Sequence, residues 1–101
     1  MNQKQLMLYV KQFRYGMLGR KKGSKYCYMV CWPLSGSLNF LGVKNDLIEG
    51  EVYYYGYWIG HFWVRLANGK IIDPTAGQFS TGKRPMPTVY IGKKPRWYRA
   101  K

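Results

Sequence analysis

Negative charge is the scarcest property of this chain. Its 101 residues include four acidic side chains, against seventeen lysines and arginines and a formal net charge of +13. That imbalance leaves the fold open, but nucleic acid, an acidic protein or an anionic surface would be drawn to the molecule. Histidine is scarcer still: His61 is the single one, and Cys27 and Cys31 are the two cysteines. One histidine and two thiols leave a Cys/His zinc site short of ligands, so no metal and no cofactor is expected. No run approaches the roughly 20 apolar residues of a membrane span. The opening "MNQKQLMLYVKQF" carries Lys4 and Lys11 where a signal peptide needs an unbroken apolar core. A cytoplasmic location is therefore expected, and there the cysteines are thiols rather than a structural disulfide.

What is present is ample apolar and aromatic material, 47% and 18% of the residues. That suffices for the core of one domain over residues 1–101 and argues against disorder. Residues 3 to 17 read as a helix, with Leu6, Tyr9, Val10, Phe13 and Met17 forming one apolar stripe. Gly16, Gly19 and the run "GRKKGS" end it and open a basic loop. "SKYCYMVCWPLSGSLNFLGV" reads as a second helix stopping at Leu-Gly, with Ser24 a fitting N-cap. Pro33 leaves two starts open. Either the helix begins near Ser24 and bends at the proline, or it begins near Cys31 with Pro33 in its first turn.

"KNDLIEGE" then reads as an acid-bearing loop, "VYYYGYW" as a strand with a bulge or turn at Gly56, and "HFWVRL" as an alternating strand. "ANGK" is a hairpin turn, "KIID" the return strand, "PTAGQFSTGKRPMP" a loop and "TVYIG" one more strand. A basic, aromatic tail follows from about residue 92. Helices first and antiparallel strands after make an α+β fold, with N-terminal helices packed on a small sheet.

One set of residues points to chemistry. A thiol becomes a nucleophile when a base takes its proton and a third group holds that base. A cysteine in the first turn of a helix gains from the positive end of the helix dipole. His61 on one hairpin strand can serve as base, and Asp73 is the acid on the strand that pairs with it. A two-residue Asn68-Gly69 turn sets Val64 opposite Asp73 and leaves His61 about three residues out of register. Twist, a bulge or a longer turn must close that gap.

The motifs "CYMVCWPLSGSLNFLG", "GHFWVRL" and "GKIIDPTAGQF" together resemble the papain-like and transglutaminase-like superfamily of Cys-His-Asp enzymes. The likeness is nearest to small phage and bacterial proteins with a Cys-Tyr helix start, a His-x-Trp strand and an Asp-Pro-Thr-Ala-x-Gln-Phe ending. It covers residues 24 to 79. It implies a papain-like or transglutaminase-like core and a phage-encoded cysteine hydrolase or acyltransferase, working in the host cytoplasm or associated with the virion. By it, Cys27 is the nucleophile, His61 the base and Asp73 its orienting partner. Cys31, followed by Trp32, resembles the papain nucleophile and stands as the alternative one turn on. Gln78 either shapes the site or caps loop backbone.

Alternation puts His61, Trp63 and Arg65 on one face of their strand and Phe62, Val64 and Leu66 on the core face. Trp63 then either walls the site or covers the far side of the sheet. Two functions remain open. One is acyl transfer on a protein or peptide substrate, acidic by charge complementarity. The other is a non-catalytic binding protein on the same scaffold, taking nucleic acid or a phage structural or host partner. For the second, the anion-binding candidates are Arg20, Lys21, Lys22, Lys25, Lys93, Lys94, Arg96 and Arg99, with Trp97 and Tyr98 able to stack on bases.

Overall fold

The structure is a computed structural model and describes residues 1–21 and 25–101. Two helices pack on a five-stranded antiparallel sheet. Helix α1 spans Gln3–Leu18 and α2 Cys27–Phe40. The strands are β1 Asn45–Tyr54, β2 Tyr57–Leu66, β3 Ile71–Asp73, β4 Tyr90–Gly92 and β5 Tyr98–Ala100, in spatial order β4-β3-β2-β1-β5. Among the described residues no helix is long and apolar enough to cross a membrane.

Helix α1 begins with a capping box. The Asn2 side chain accepts from the Gln5 N–H, and the Gln5 side chain accepts from the Asn2 N–H. Its stripe buries Leu6, Val10 and Leu18, while Met17, counted in the stripe from spacing, is exposed. Helix α2 starts at Cys27 and runs through Pro33, so the earlier of the two open starts is nearer the fold. Tyr26 is its N-cap and gives no side-chain cap. Ser24, the expected cap, and Lys22, a cation candidate, lie outside the described residues. Gly42, at φ 84°, follows the last turn, and the Val43 N–H closes back on the Leu38 carbonyl.

Several expectations for the second half are corrected. The acid-bearing stretch is strand, not loop: Asp46, Glu49 and Glu51 all lie on β1. "VYYYGYW" is divided by a two-residue turn at Tyr55 and Gly56, both at positive φ, so β1 and β2 form a long hairpin. The Asn-Gly turn is longer than two residues. Leu66 N–H bonds the Lys70 carbonyl and Gly69 N–H the Leu66 carbonyl, with Gly69 at φ 87°. Three residues therefore sit in the loop, and Val64 pairs with Ile72 rather than Asp73. The loop after β3 contains a 3₁₀ turn, Ala76–Phe79. The residues read as a tail end in β5, which pairs with β1 from Val52 to Gly50.

Both faces of the sheet are covered. The helix side holds Leu6, Val10, Leu34, Leu38, Val64 and Ile72. The other side holds Val52, Trp63, Ile71, Phe79 and Tyr98, with Phe79 supplied by the 3₁₀ turn and Tyr98 by the edge strand β5. Trp63 is 1% exposed, so it is not a wall of an open site but the centre of this second core. Its ring lies directly over Gly50 of β1. A Cβ at Gly50 would collide with that ring and with the Arg99 carbonyl of β5. Gly50→Ala is therefore expected to cost about 1–3 kcal/mol or more through forced displacement of packed groups. Urea unfolding followed by tryptophan fluorescence measures it, and an unchanged midpoint would contradict this packing.

Candidate active site

The register places the hairpin residues. With Val64 opposite Ile72, Asp73 stands level with Trp63, two residues from His61 and on the same face. A two-residue turn would have sent the two side chains to opposite faces. As built, His61 Nε2 and Asp73 Oδ2 are 2.7 Å apart, with His61 2% and Asp73 0% exposed.

The carboxylate is held on every side. Tyr98 Oη donates to Oδ2 at 2.6 Å, while the Thr75 N–H and Oγ1 donate to Oδ1 at 3.0 and 3.3 Å. The Thr75 contacts form an Asx turn over Pro74. Gln78 Nε2 donates to the Thr75 carbonyl and hydroxyl, so its amide steadies this turn. The His61 ring sits edge-on to Phe79, with centroids 4.7 Å apart, and beside Trp63 and Tyr98.

The thiol arrives from the other direction. β3 pairs with β2 only at Val64 and Arg65, so beside Phe62 the edge of β2 is open. The first turn of α2 fills that gap. The Phe62 carbonyl accepts from Cys31 Sγ at 3.4 Å, and the Tyr28 ring packs edge-on to the Phe62 ring. Cys27, at the first position of the helix, is half-buried and hydrogen-bonded to His61. Nε2 serves Asp73, which leaves Nδ1 as the ring nitrogen free to serve the sulfur. Cys27, His61 and Asp73 thus form one continuous chain of contacts.

The electrostatics separate the two cysteines. Burial pushes the Cys27 thiol up, but the hydrogen bond and charge of His61, with backbone bonds at Phe62 and Tyr28, bring it below its ordinary value. Cys31 is 0% exposed, and burial, aided by the charges of Asp73 and Cys27, holds it well above the ordinary value. For His61, burial works against the charged form, yet the charge and hydrogen bond of Asp73, then Cys27, raise it to about 9. Burial and Asp73 push the Tyr98 hydroxyl up, so it stays a donor. The two shifts act together: the lowered Cys27 and the raised His61 both favour a thiolate–imidazolium pair over two neutral groups. Tyr26 gives the first-turn N–H groups of α2 no side-chain cap.

The cation candidates are scattered. Arg20, Lys21 and Lys25 are exposed before α2, with Lys21 5.9 Å from the Tyr26 ring centroid. Lys93, Lys94 and Arg96 line a cavity of about 530 Å³ with Trp97, and Lys94 Nζ donates to the Tyr98 carbonyl. Arg99 is spent on Glu51 and on the face of Trp58, 3.7 Å from its centroid. The expected base-stacking pair is corrected: Tyr98 is fully buried on Asp73, and Trp97 is half-buried under the Arg84 guanidinium. Tyr98, Thr75 and Phe79 are the site residues that spacing did not find. The Asp-Pro-Thr sequence carries the Asx-turn signal for Thr75. Nothing local marks Tyr98, whose basic neighbours suggest solvent.

No family model, curated protein or solved structure matches the chain.

Two outcomes follow from the electrostatics. Iodoacetamide should modify Cys27 at pH values below those of an ordinary thiol and leave Cys31 untouched until the protein is unfolded, as read by mass spectrometry across pH 5–10. Equal labelling of both thiols would contradict the site. Stability is linked to the same groups. His61, raised above its unfolded value of about 6.5, contributes fully below that pH, and the contribution is lost as pH rises through about 9. Urea midpoints should therefore fall between pH 7 and 10, and fall less in His61→Gln.

Proposed function

We propose that this chain is a cysteine-dependent acyl-transfer enzyme on a papain-like or transglutaminase-like core. One observation carries the reading: a half-buried thiol at a helix start is hydrogen-bonded to a buried histidine whose other nitrogen is held by a buried carboxylate. The order of the parts supports it as well, with cysteine opening a helix, histidine on a strand and aspartate ending the next.

In this reading the Cys27 thiolate attacks an amide or ester carbonyl of a protein or peptide. Negative charge moves to the carbonyl oxygen, where the first-turn N–H groups of α2 stabilise it. His61, protonated in the resting pair, gives its Nδ1 proton to the leaving group as the C–N or C–O bond breaks. A thioester on Cys27 remains. Neutral His61 then takes a proton from water or an amine, which attacks the thioester and releases acid or a new amide. Asp73 fixes the ring and favours imidazolium throughout, and Tyr98 and Thr75 keep Asp73 in place. The working form spans the interval from the lowered Cys27 value to about 9.

A small activated ester tests this without a known substrate. Mixing with p-nitrophenyl acetate should release one nitrophenolate per chain in a burst and leave one acetyl group on Cys27. The burst should be absent in Cys27→Ser and slower by about 10²–10⁴-fold in His61→Ala at unchanged circular dichroism. Turnover of the acetyl-enzyme should rise as pH approaches about 9, where His61 becomes neutral and can take the proton of the attacking water. A burst of the same rate in His61→Ala would leave only an exposed thiol, and the scaffold would then be a binding protein.

A further inference from the structure

We infer that the groove between α1 and the free edge of β4 docks an extended, acidic peptide segment of another protein. The site is separate from Cys27 and does not depend on acyl transfer.

The groove has a volume of about 430 Å³. One bank is α1, through Met7, Lys11, Arg14 and Tyr15, and the other is the consecutive run Pro87 to Ile91. Tyr90 and Ile91 are successive strand residues whose side chains point to opposite faces, so a groove lined by both runs along the edge of β4 and continues over the approach from Pro87 to Val89. The sheet order makes β4 an outer strand. The pairing also says which backbone groups are turned outward. Leu66 and Lys70 are a hydrogen-bonded pair, so Ile72 directs its N–H and C=O to β2 while Ile71 and Asp73 direct theirs to β4. Their partners Gly92 and Tyr90 answer them, which turns the N–H and C=O of Ile91 to the open side. An extended peptide can pair there as an added strand.

Charge selects the kind of peptide. Each of the four carboxylates is committed elsewhere. Asp46 pairs with Arg65 at 3.3 Å, Glu49 with Lys101 at 3.5 Å, Glu51 with Arg99 at 3.0 Å and Asp73 with His61 at 2.7 Å. None is on α1, whose sequence has no acid at all. Lys11 and Arg14 thus stand beside an apolar, edge-lined groove with no counter-charge from their own chain. Arg14 spends one Nη2 on the Lys21 carbonyl at 3.3 Å, and its Nε is buried without a partner among the described residues. Apolar side chains of the guest would meet Met7, Val89 and Ile91, and its carboxylates Lys11 and Arg14. A peptide supplies a pairing backbone as well as charge, which a nucleic acid does not.

Fluorescence anisotropy of the full chain with a labelled octapeptide of alternating valine and glutamate tests this. Three further probes complete the set: the same peptide N-methylated at alternate residues, a valine–lysine version and an eight-nucleotide oligothymidylate. The Val-Glu peptide should bind. Its affinity should weaken by at least about tenfold in the double variant Lys11→Glu, Arg14→Glu. It should weaken comparably on N-methylation, and change little in Lys93→Glu, Arg96→Glu. Circular dichroism checks that both variants are folded. Equal loss in the two double variants would mean general attraction to a basic surface and would overturn the site. So would undiminished binding of the N-methylated peptide, or oligothymidylate binding that is stronger and lost in the Lys11, Arg14 variant. No binding of the Val-Glu peptide at low salt would overturn it outright.

Discussion

The buried carboxylate of Asp73 is the constraint on which the rest depends. An ionised group with no exposed surface is costly unless charge and hydrogen bonds surround it. Here the donors come from separate parts of the chain: His61 from β2, Thr75 from the turn after β3 and Tyr98 from β5. Satisfying one side chain therefore brings the hairpin, the turn and the last strand to a common point. Removing a donor would leave charge poorly compensated, so the requirement that stabilises the fold also aims the imidazole. The raised proton affinity of His61 is a consequence of burying its partner, and the lowered affinity of the Cys27 thiol follows in turn.

A second core makes that arrangement rigid. In a small α+β protein, one face of the sheet can be left to water. Here the face away from the helices is closed by Trp63, Phe79 and Tyr98, which pack around His61. Gly50 lets the Trp63 ring lie flat over β1. Of Cys27, His61 and Asp73, only Cys27, at the start of α2, is partly exposed. The imidazole is thus held in packed surroundings while the thiol is half-exposed.

How much of this was legible varied with the range of the interaction. The α1 stripe, the second helix and the Asn68-Gly69 hairpin are local signals and were readable. The three members of the cluster could be named from residue type and motif. Their register could not, because one residue more or less in the hairpin loop sends a side chain to the other face, and "ANGK" is compatible with either loop length. The β1 acids suggested a loop because charge outweighed pattern. Yet Leu47, Glu49 and Glu51 alternate with Ile48, Gly50 and Val52, and the second set faces the Trp63 core. Tyr98 was hidden for a related reason. Its neighbours Arg96 and Arg99 are exposed, and only a contact spanning 25 residues reveals that the tyrosine is not.

The net charge deserves the same local treatment. Since every carboxylate is already paired or buried, the +13 is carried by cations with no acidic neighbour, concentrated where acids are absent. At physiological ionic strength such charge acts over about 8 Å. Cations on α1 and in the run after β4 therefore act on whatever touches those segments and only weakly on the Cys27 sulfur, whose proton is governed by His61 and two backbone bonds. The thiol–imidazole pair and the exposed cations are thus electrostatically separable. The reacting pair is set by buried contacts insensitive to salt, and encounter is set by exposed charge that salt screens. Under the acyl-transfer proposal, that separation would let a surface away from the thiol carry affinity for a large substrate in a chain of 101 residues with little room for a deep cleft.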